Sequence, residues 1–138
     1  MLKEFSATGV TIGQAAKAVD VNVETIRYYH RIGLLPLPPR ARGSIRRYPI
    51  DSVKRLSFIR RAQQLGFSLE EIAELLQLEK TRSCGSARHI AEAKLADVTR
   101  KIADLSGIQN YLATLVRRCK AGKTADCPIF EALLPLSP

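Results

Sequence analysis

Three features of the 138-residue sequence predict a mainly α-helical fold. Two short amphipathic patterns stand four residues apart near the start, a Pro-, Gly- and Arg-rich stretch breaks helical periodicity after them, and an apolar 4,3 repeat runs through residues 91–119. Hydrophobic residues make up 46% of the chain, enough for a modest core in one small domain with an extension.

The first pattern, TIGQAAKA at residues 11 to 18, has Thr11 as its cap and Ile12, Ala15 and Ala16 at helical spacing. VDVN interrupts it. Asn22 then caps a second helix, VETIRYYHRI, with Val23, Ile26 and Tyr29 turned inward. Two short helices across a tight turn make a helix-turn-helix, whose second helix enters the major groove of DNA. Glu24, Thr25, Arg27 and Tyr28 lie off the apolar stripe, where side chains reach bases and phosphates.

Gly33 ends the second helix, and PLPPRARGSIRRYP cannot continue it. Its centre, RGSIRRY, reads as a tight hairpin: Gly43 and Ser44 supply the turn, and Ile45 and Tyr48 suit a strand. Arg46 and Arg47 then project from a wing beside the helix-turn-helix and grip the phosphate backbone, which fixes register without reading bases. The charge distribution agrees. Net charge is +9, and residues 20–61 hold ten Lys or Arg against three acids, whereas the next stretch reverses sign with Glu70, Glu71, Glu74 and Glu79. A one-sided basic block suits a polyanion, because each phosphate neutralised releases condensed counterions.

Residues 51 to 65 form a third predicted helix, with Asp51 as N-cap and Gly66 as C-cap. Val53, Leu56, Phe58, Ile59, Ala62 and Leu65 make its broad apolar face. Ser68 and Glu71 form a capping box ahead of Ile72, Leu75, Leu76 and Leu78, so a fourth helix completes a second layer behind the DNA-reading one. The longest helix is expected over residues 86 to 120. Ala91, Leu95, Val98, Ile102, Leu105, Gln109, Leu112, Val116 and Cys119 alternate by four and three, a coiled-coil seam. So narrow a stripe on so long a helix cannot bury itself against a small head, and it predicts a homodimer, which presents two reading heads to a two-fold DNA site.

No apolar run near the N-terminus resembles a signal peptide and none is long enough for a membrane span, so the protein is expected to be cytoplasmic with no membrane partner. Thiols stay reduced there, which argues against a disulfide framework for Cys84, Cys119 and Cys127. Cys84 and Cys119 flank the long helix and lie roughly 50 Å apart in one chain at 1.5 Å rise per residue. An antiparallel pair of helices brings Cys84 of each chain to Cys119 of the other, and the loop of RRCKAGKTADCP carries Cys127 back to Cys119. Three thiolates suit a soft ion such as mercury, lead or cadmium; His89 is a further donor if the ion is zinc. A plainer reading makes Cys119 a small hydrophobe on the seam and the other two incidental.

The stretches TIGQAAKAVDVNVETIRYYHRIGLLP, GSIRRY and LGFSLEEIAELLQL, together with the spaced cysteines, resemble the winged-helix metal-responsive transcription regulators of the MerR type over residues 10 to 130. The resemblance implies DNA contacts at Arg27, Tyr28 and Arg46, within an expected DNA-binding set of Thr11, Asn22, Glu24, Thr25, Arg27, Tyr28, Arg46, Arg47 and Tyr48. It implies metal ligands at Cys84, Cys119 and Cys127, the first donated by the partner subunit. Mercury(II) is the implied inducer, with cadmium(II), lead(II) and zinc(II) as alternatives. Also implied are promoter DNA and RNA polymerase as partners, repression without metal, and activation by DNA distortion when metal binds. Two departures stand out. The family's mercury-sensing members have one more residue between the last two cysteines than Cys119 and Cys127 have here, and His30 follows RYY where an acid or amide is commoner.

The predicted layout is therefore a winged helix-turn-helix DNA-binding domain at residues 10–80, a hinge and long antiparallel coiled-coil dimerisation helix at 81–120, and a metal-binding loop and tail at 119–138. The hinge is expected at residues 79–85. An enzyme is disfavoured: neither His30 nor His89 has a cysteine partner with a third orienting group, and no phosphate-cradling glycine loop is present. An organic inducer is disfavoured too, because little chain follows the long helix to build a pocket.

Overall fold

The computed structural model describes residues 9–40, 45–122 and 126–135. Helices α1 (Ile12–Ala18), α2 (Val23–Arg31), α3 (Ile50–Gln64), α4 (Leu69–Thr81), α5 (Cys84–Ala121) and α6 (Pro128–Leu133) follow in order. Two units divide the chain, Met1–Ile90 and Ala91–Pro138.

Local capping starts three helices of the first unit where the sequence places them. Thr11 Oγ1 accepts the Gln14 N–H at 3.2 Å while Gln14 Oε1 accepts the Thr11 N–H at 2.9 Å. Ser68 and Glu71 reciprocate in the same way at 3.1 and 2.7 Å. Asn22 Oδ1 accepts the Thr25 N–H at 2.8 Å. Each cap satisfies donors that have no partner inside the helix, an effect worth about 1 kcal/mol.

Helix α3 departs from expectation at both ends. Its N-cap is Pro49, without a side-chain cap, and Asp51 is an acid in the first turn rather than the N-cap. Pro49 is extended (φ −67°, ψ 164°) and its carbonyl takes the N–H groups of Ser52 and Val53, so the helix begins one residue earlier. At the other end Leu65 is the C-cap and Gly66 follows at φ +93°, which turns the chain and leaves Leu65 69% exposed, off the apolar face assigned to it.

The wing differs as well. Gly43 and Ser44, the expected turn, lie outside the described residues. Tyr48 pairs with Val10 in an isolated antiparallel bridge, with N–H···O distances of 2.9 and 2.7 Å, and no longer strand occurs among the described residues. Ile45 is exposed. Gly9 permits the bridge: its φ is +87°, and a Cβ there would sit 2.5 Å from the Tyr48 carbonyl oxygen.

These elements enclose one core. Ala15, Ala16, Ile26, Tyr29, Leu35, Tyr48, Leu56, Ile59, Ile72 and Leu76 are buried together, uniting the helix-turn-helix, the wing base and the α3–α4 layer. Polar ties reinforce it: the Tyr29 hydroxyl donates to Gln63 Oε1 (2.9 Å) and Arg55 Nε donates to the Leu34 carbonyl (2.9 Å). Arg82, left-handed at φ +52°, ends α4, and Ser83 links it to α5. The first α5 hydrogen bond runs from the Ala87 N–H to the Ser83 carbonyl at 3.0 Å, so Cys84 lies on the helix and not ahead of it.

Within Ala91–Pro138 the pattern changes. Leu95, Ile102, Leu105, Leu112 and Val116 of the seam are exposed, as are Ile108 and Tyr111 beside it, while Leu115, one step off the seam, is buried. No helix of the described residues is long and apolar enough to cross a membrane.

Candidate nucleic-acid interface and thiol sites

Helix α2 buries Ile26 and Tyr29 and so turns Glu24, Arg27 and Tyr28 to solvent. Arg27 Nη1 lies 2.6 Å from Glu24 Oε1, with both side chains more than half exposed. Such a pair adds little stability in water, but it points the guanidinium along the helix face. The Arg31 guanidinium stands 5.6 Å over the Tyr28 ring, a cation–π contact that restrains that exposed aromatic. Thr25 is half-buried, and its hydroxyl donates to Asn22 Oδ1 at 2.9 Å, so the Asn22 amide oxygen accepts from both the Thr25 N–H and the Thr25 hydroxyl. Thr11 likewise serves as a cap.

On the wing, Arg47 is exposed and Arg46 half-buried, its Nε donating to the Pro38 carbonyl at 3.2 Å. Tyr48 is 2% exposed, and its side chain belongs to the core. Burial raises the pKa of its hydroxyl above the usual tyrosine value, against the nearby charges of Arg46 and Arg27. Between α2 and the wing lies a cleft of about 500 Å³ lined by Arg27, Arg40, Arg46, His30 and Tyr48, among others. Three guanidiniums around one hollow suit an anionic backbone. Arg40 and His30 are absent from the residue set predicted as DNA-binding. Arg40 was hidden in an irregular stretch whose path no periodicity reports, and the only signal for His30 was its unusual place after RYY.

The thiols fall in both units. Cys84, exposed, opens α5 in the first, and His89 lies five residues on, also exposed. Cys84 borders an apolar hollow of about 310 Å³ with Phe58, Leu75, Leu78 and Ala87, at the corner of α3, α4 and α5. In the second unit Cys119 is exposed near the end of α5, and half-buried Cys127 is the N-cap of α6. The Cys127 thiol is shifted below the usual cysteine range, first by the Phe130 and Ile129 backbone N–H groups and then by a hydrogen bond with Cys119. Burial and Glu131 oppose the shift. Cys119 and Cys127 are therefore brought together in one chain, and a thiolate at Cys127 is the form that ligates a soft metal. Among the described residues of a single chain no three His, Cys, Asp or Glu side chains gather closely enough to hold a metal.

Comparisons with known proteins bear on both units. The family described as MerR HTH family regulatory protein matches residues 10–79, and the one described as MerR, DNA binding matches residues 53–115. A mercuric resistance operon regulatory protein of Serratia marcescens is 48% identical over 131 residues, covering 94% of this chain and 91% of that protein. The crystal structure of a transcription regulator from Ralstonia metallidurans in complex with lead(II) superposes with a TM-score of 0.75 at 34% identity, covering 91% of this chain and 99% of that one. That of a dual-function regulator from Bacillus megaterium in complex with mercury(II) gives 0.66 at 35%, covering 91% and 98%.

Proposed function

Since the chain belongs to the MerR family of helix-turn-helix regulatory proteins, and is thus a transcription regulator and not an enzyme, we propose that it switches a metal-resistance promoter in response to mercury(II). The working unit is a homodimer joined along the exposed seam of α5. Arg27 and Tyr28 read the major groove, and Arg46 and Arg47 hold the flanking phosphates.

One observation carries the metal reading: Cys127 meets Cys119 and is held toward its thiolate form by the first N–H groups of α6. Two sulfurs of one chain fit a soft ion as a pair, and Cys84 of the partner subunit supplies the third in an antiparallel dimer. Mercury(II), when bound, would supply a thiophilic Lewis acid, held by Cys119 and Cys127 of one chain and Cys84 of the partner subunit. The joint at Arg82 and Ser83 then transmits the change from α5 to α4 and the reading head. Apoprotein represses, and the metal-bound dimer bends and untwists the promoter for RNA polymerase, a deformation of roughly 1–6 kcal/mol supplied by the difference in metal affinity between two conformations. Cadmium(II), lead(II) or zinc(II) is the second reading of the inducer; the similarity to a lead(II)-bound regulator favours lead among them.

The test is trans-complementation. Cys84→Ser chains mixed with Cys119→Ser chains should regain one intact site per heterodimer and restore reporter induction across a metal panel. A mixture that binds metal no better than either mutant homodimer rules out the shared site.

A further inference from the structure

We infer that His30 is a positioning residue that latches the recognition helix to the base of the wing, holding the two DNA-contacting elements in register. The inference rests on the DNA-binding reading above and deepens it. His30 Nδ1 lies 2.9 Å from the Leu35 carbonyl oxygen, and Nε2 lies 2.8 Å from the Tyr48 hydroxyl. A carbonyl only accepts, so Nδ1 carries the proton; Nε2 of the neutral ring then accepts from the Tyr48 O–H. The two rings also pack, with centroids 5.6 Å apart. Tyr48 is itself immobilised by burial and by two backbone hydrogen bonds to Val10.

The latch sits where register matters. His30 follows Arg27 by three residues and so shares its side of α2, while Arg46 and Arg47 immediately precede Tyr48. Arg27, Arg40 and Arg46 surround the same cleft, and their mutual repulsion pushes the wing away from the helix. Arg27 pairs with Glu24 on its own helix and Arg46 donates to Pro38, so neither of these bonds opposes that repulsion. The His30 bridge does.

Full-length protein is titrated by fluorescence anisotropy, at one fixed salt concentration, with a duplex that the wild type has selected from a random-sequence pool. His30→Phe keeps ring packing but deletes both hydrogen bonds, and it should weaken binding about tenfold. Tyr48→Phe should do so by a similar factor, and the double variant should be no weaker than the weaker single one, since both break the same bond. His30→Gln, whose amide supplies both a donor and an acceptor group, should recover most of the loss. Ring 15N spectra of the wild type at a pH where the imidazole is neutral should show Nδ1 protonated and Nε2 bare. Additive losses, single variants within twofold of wild type, or a protonated Nε2 in the neutral ring would each overturn the latch. If His30→Phe does not fold, Tyr48→Phe and the 15N signature decide the matter. A wild type that selects no duplex overturns the DNA-binding reading instead.

Discussion

The two units of the chain hold their apolar residues in opposite ways. In Met1–Ile90 fourteen buried side chains form one core, so the helix-turn-helix, wing base and α3–α4 layer support each other within a single chain. In Ala91–Pro138 the described apolar residues of the seam stay in water, with Leu95, Ile102 and Leu105 each at least 60% exposed. The first unit gathers most of its apolar side chains into its own core, with Leu65 and Ile45 among the exceptions; the second carries a stripe that only another surface can cover. The contrast separates a head built around its own core from a helix that leaves its apolar stripe uncovered.

The largest expected effect tests the head's independence. Ile59→Ala removes a side chain with no exposed area and should cost about 2–5 kcal/mol, read as a lower urea midpoint that does not vary with protein concentration. The second test targets the stripe. Leu105→Asp places a charge on the seam and should weaken self-association by about a hundredfold in sedimentation, leaving the head's tertiary signals unchanged. If the head melts with it, the two units are not independent. The smallest effect sharpens the role of local structure in the head. Ser68→Ala deletes one arm of the α4 capping box and should lower stability by about 1 kcal/mol, with oligomeric state unaffected.

Legibility followed the range of each interaction. The caps Thr11, Asn22 and Ser68 were readable because cap and partner are three residues apart. The start of α3 was not: Pro49 and Asp51 are both legitimate first residues, and the choice fell to Pro49 because the bridge to Val10 fixes Tyr48 just before it. Tyr48 read as a strand residue facing DNA, yet a partner 38 positions away draws it into the core. Leu65 matched the apolar period of α3, but the turn at Gly66 removed it from that face. The thiols were half legible. Spacing brought Cys127 toward Cys119, but no sequence pattern reports the N–H groups of Ile129 and Phe130 at the sulfur.

Helices α1 to α5, the caps of α1, α2 and α4, the basic block of residues 20–61 and the unpartnered seam of α5 were legible in the sequence by itself, because periodicity, capping and charge act between residues a few positions apart. Only the tertiary structure decided that Tyr48 anchors the wing from inside the core, that His30 bridges it to the recognition helix, and that Cys127 meets Cys119 beside two backbone donors. Those contacts join residues the chain brings together only after its helices have packed, and packing depends on all of them at once.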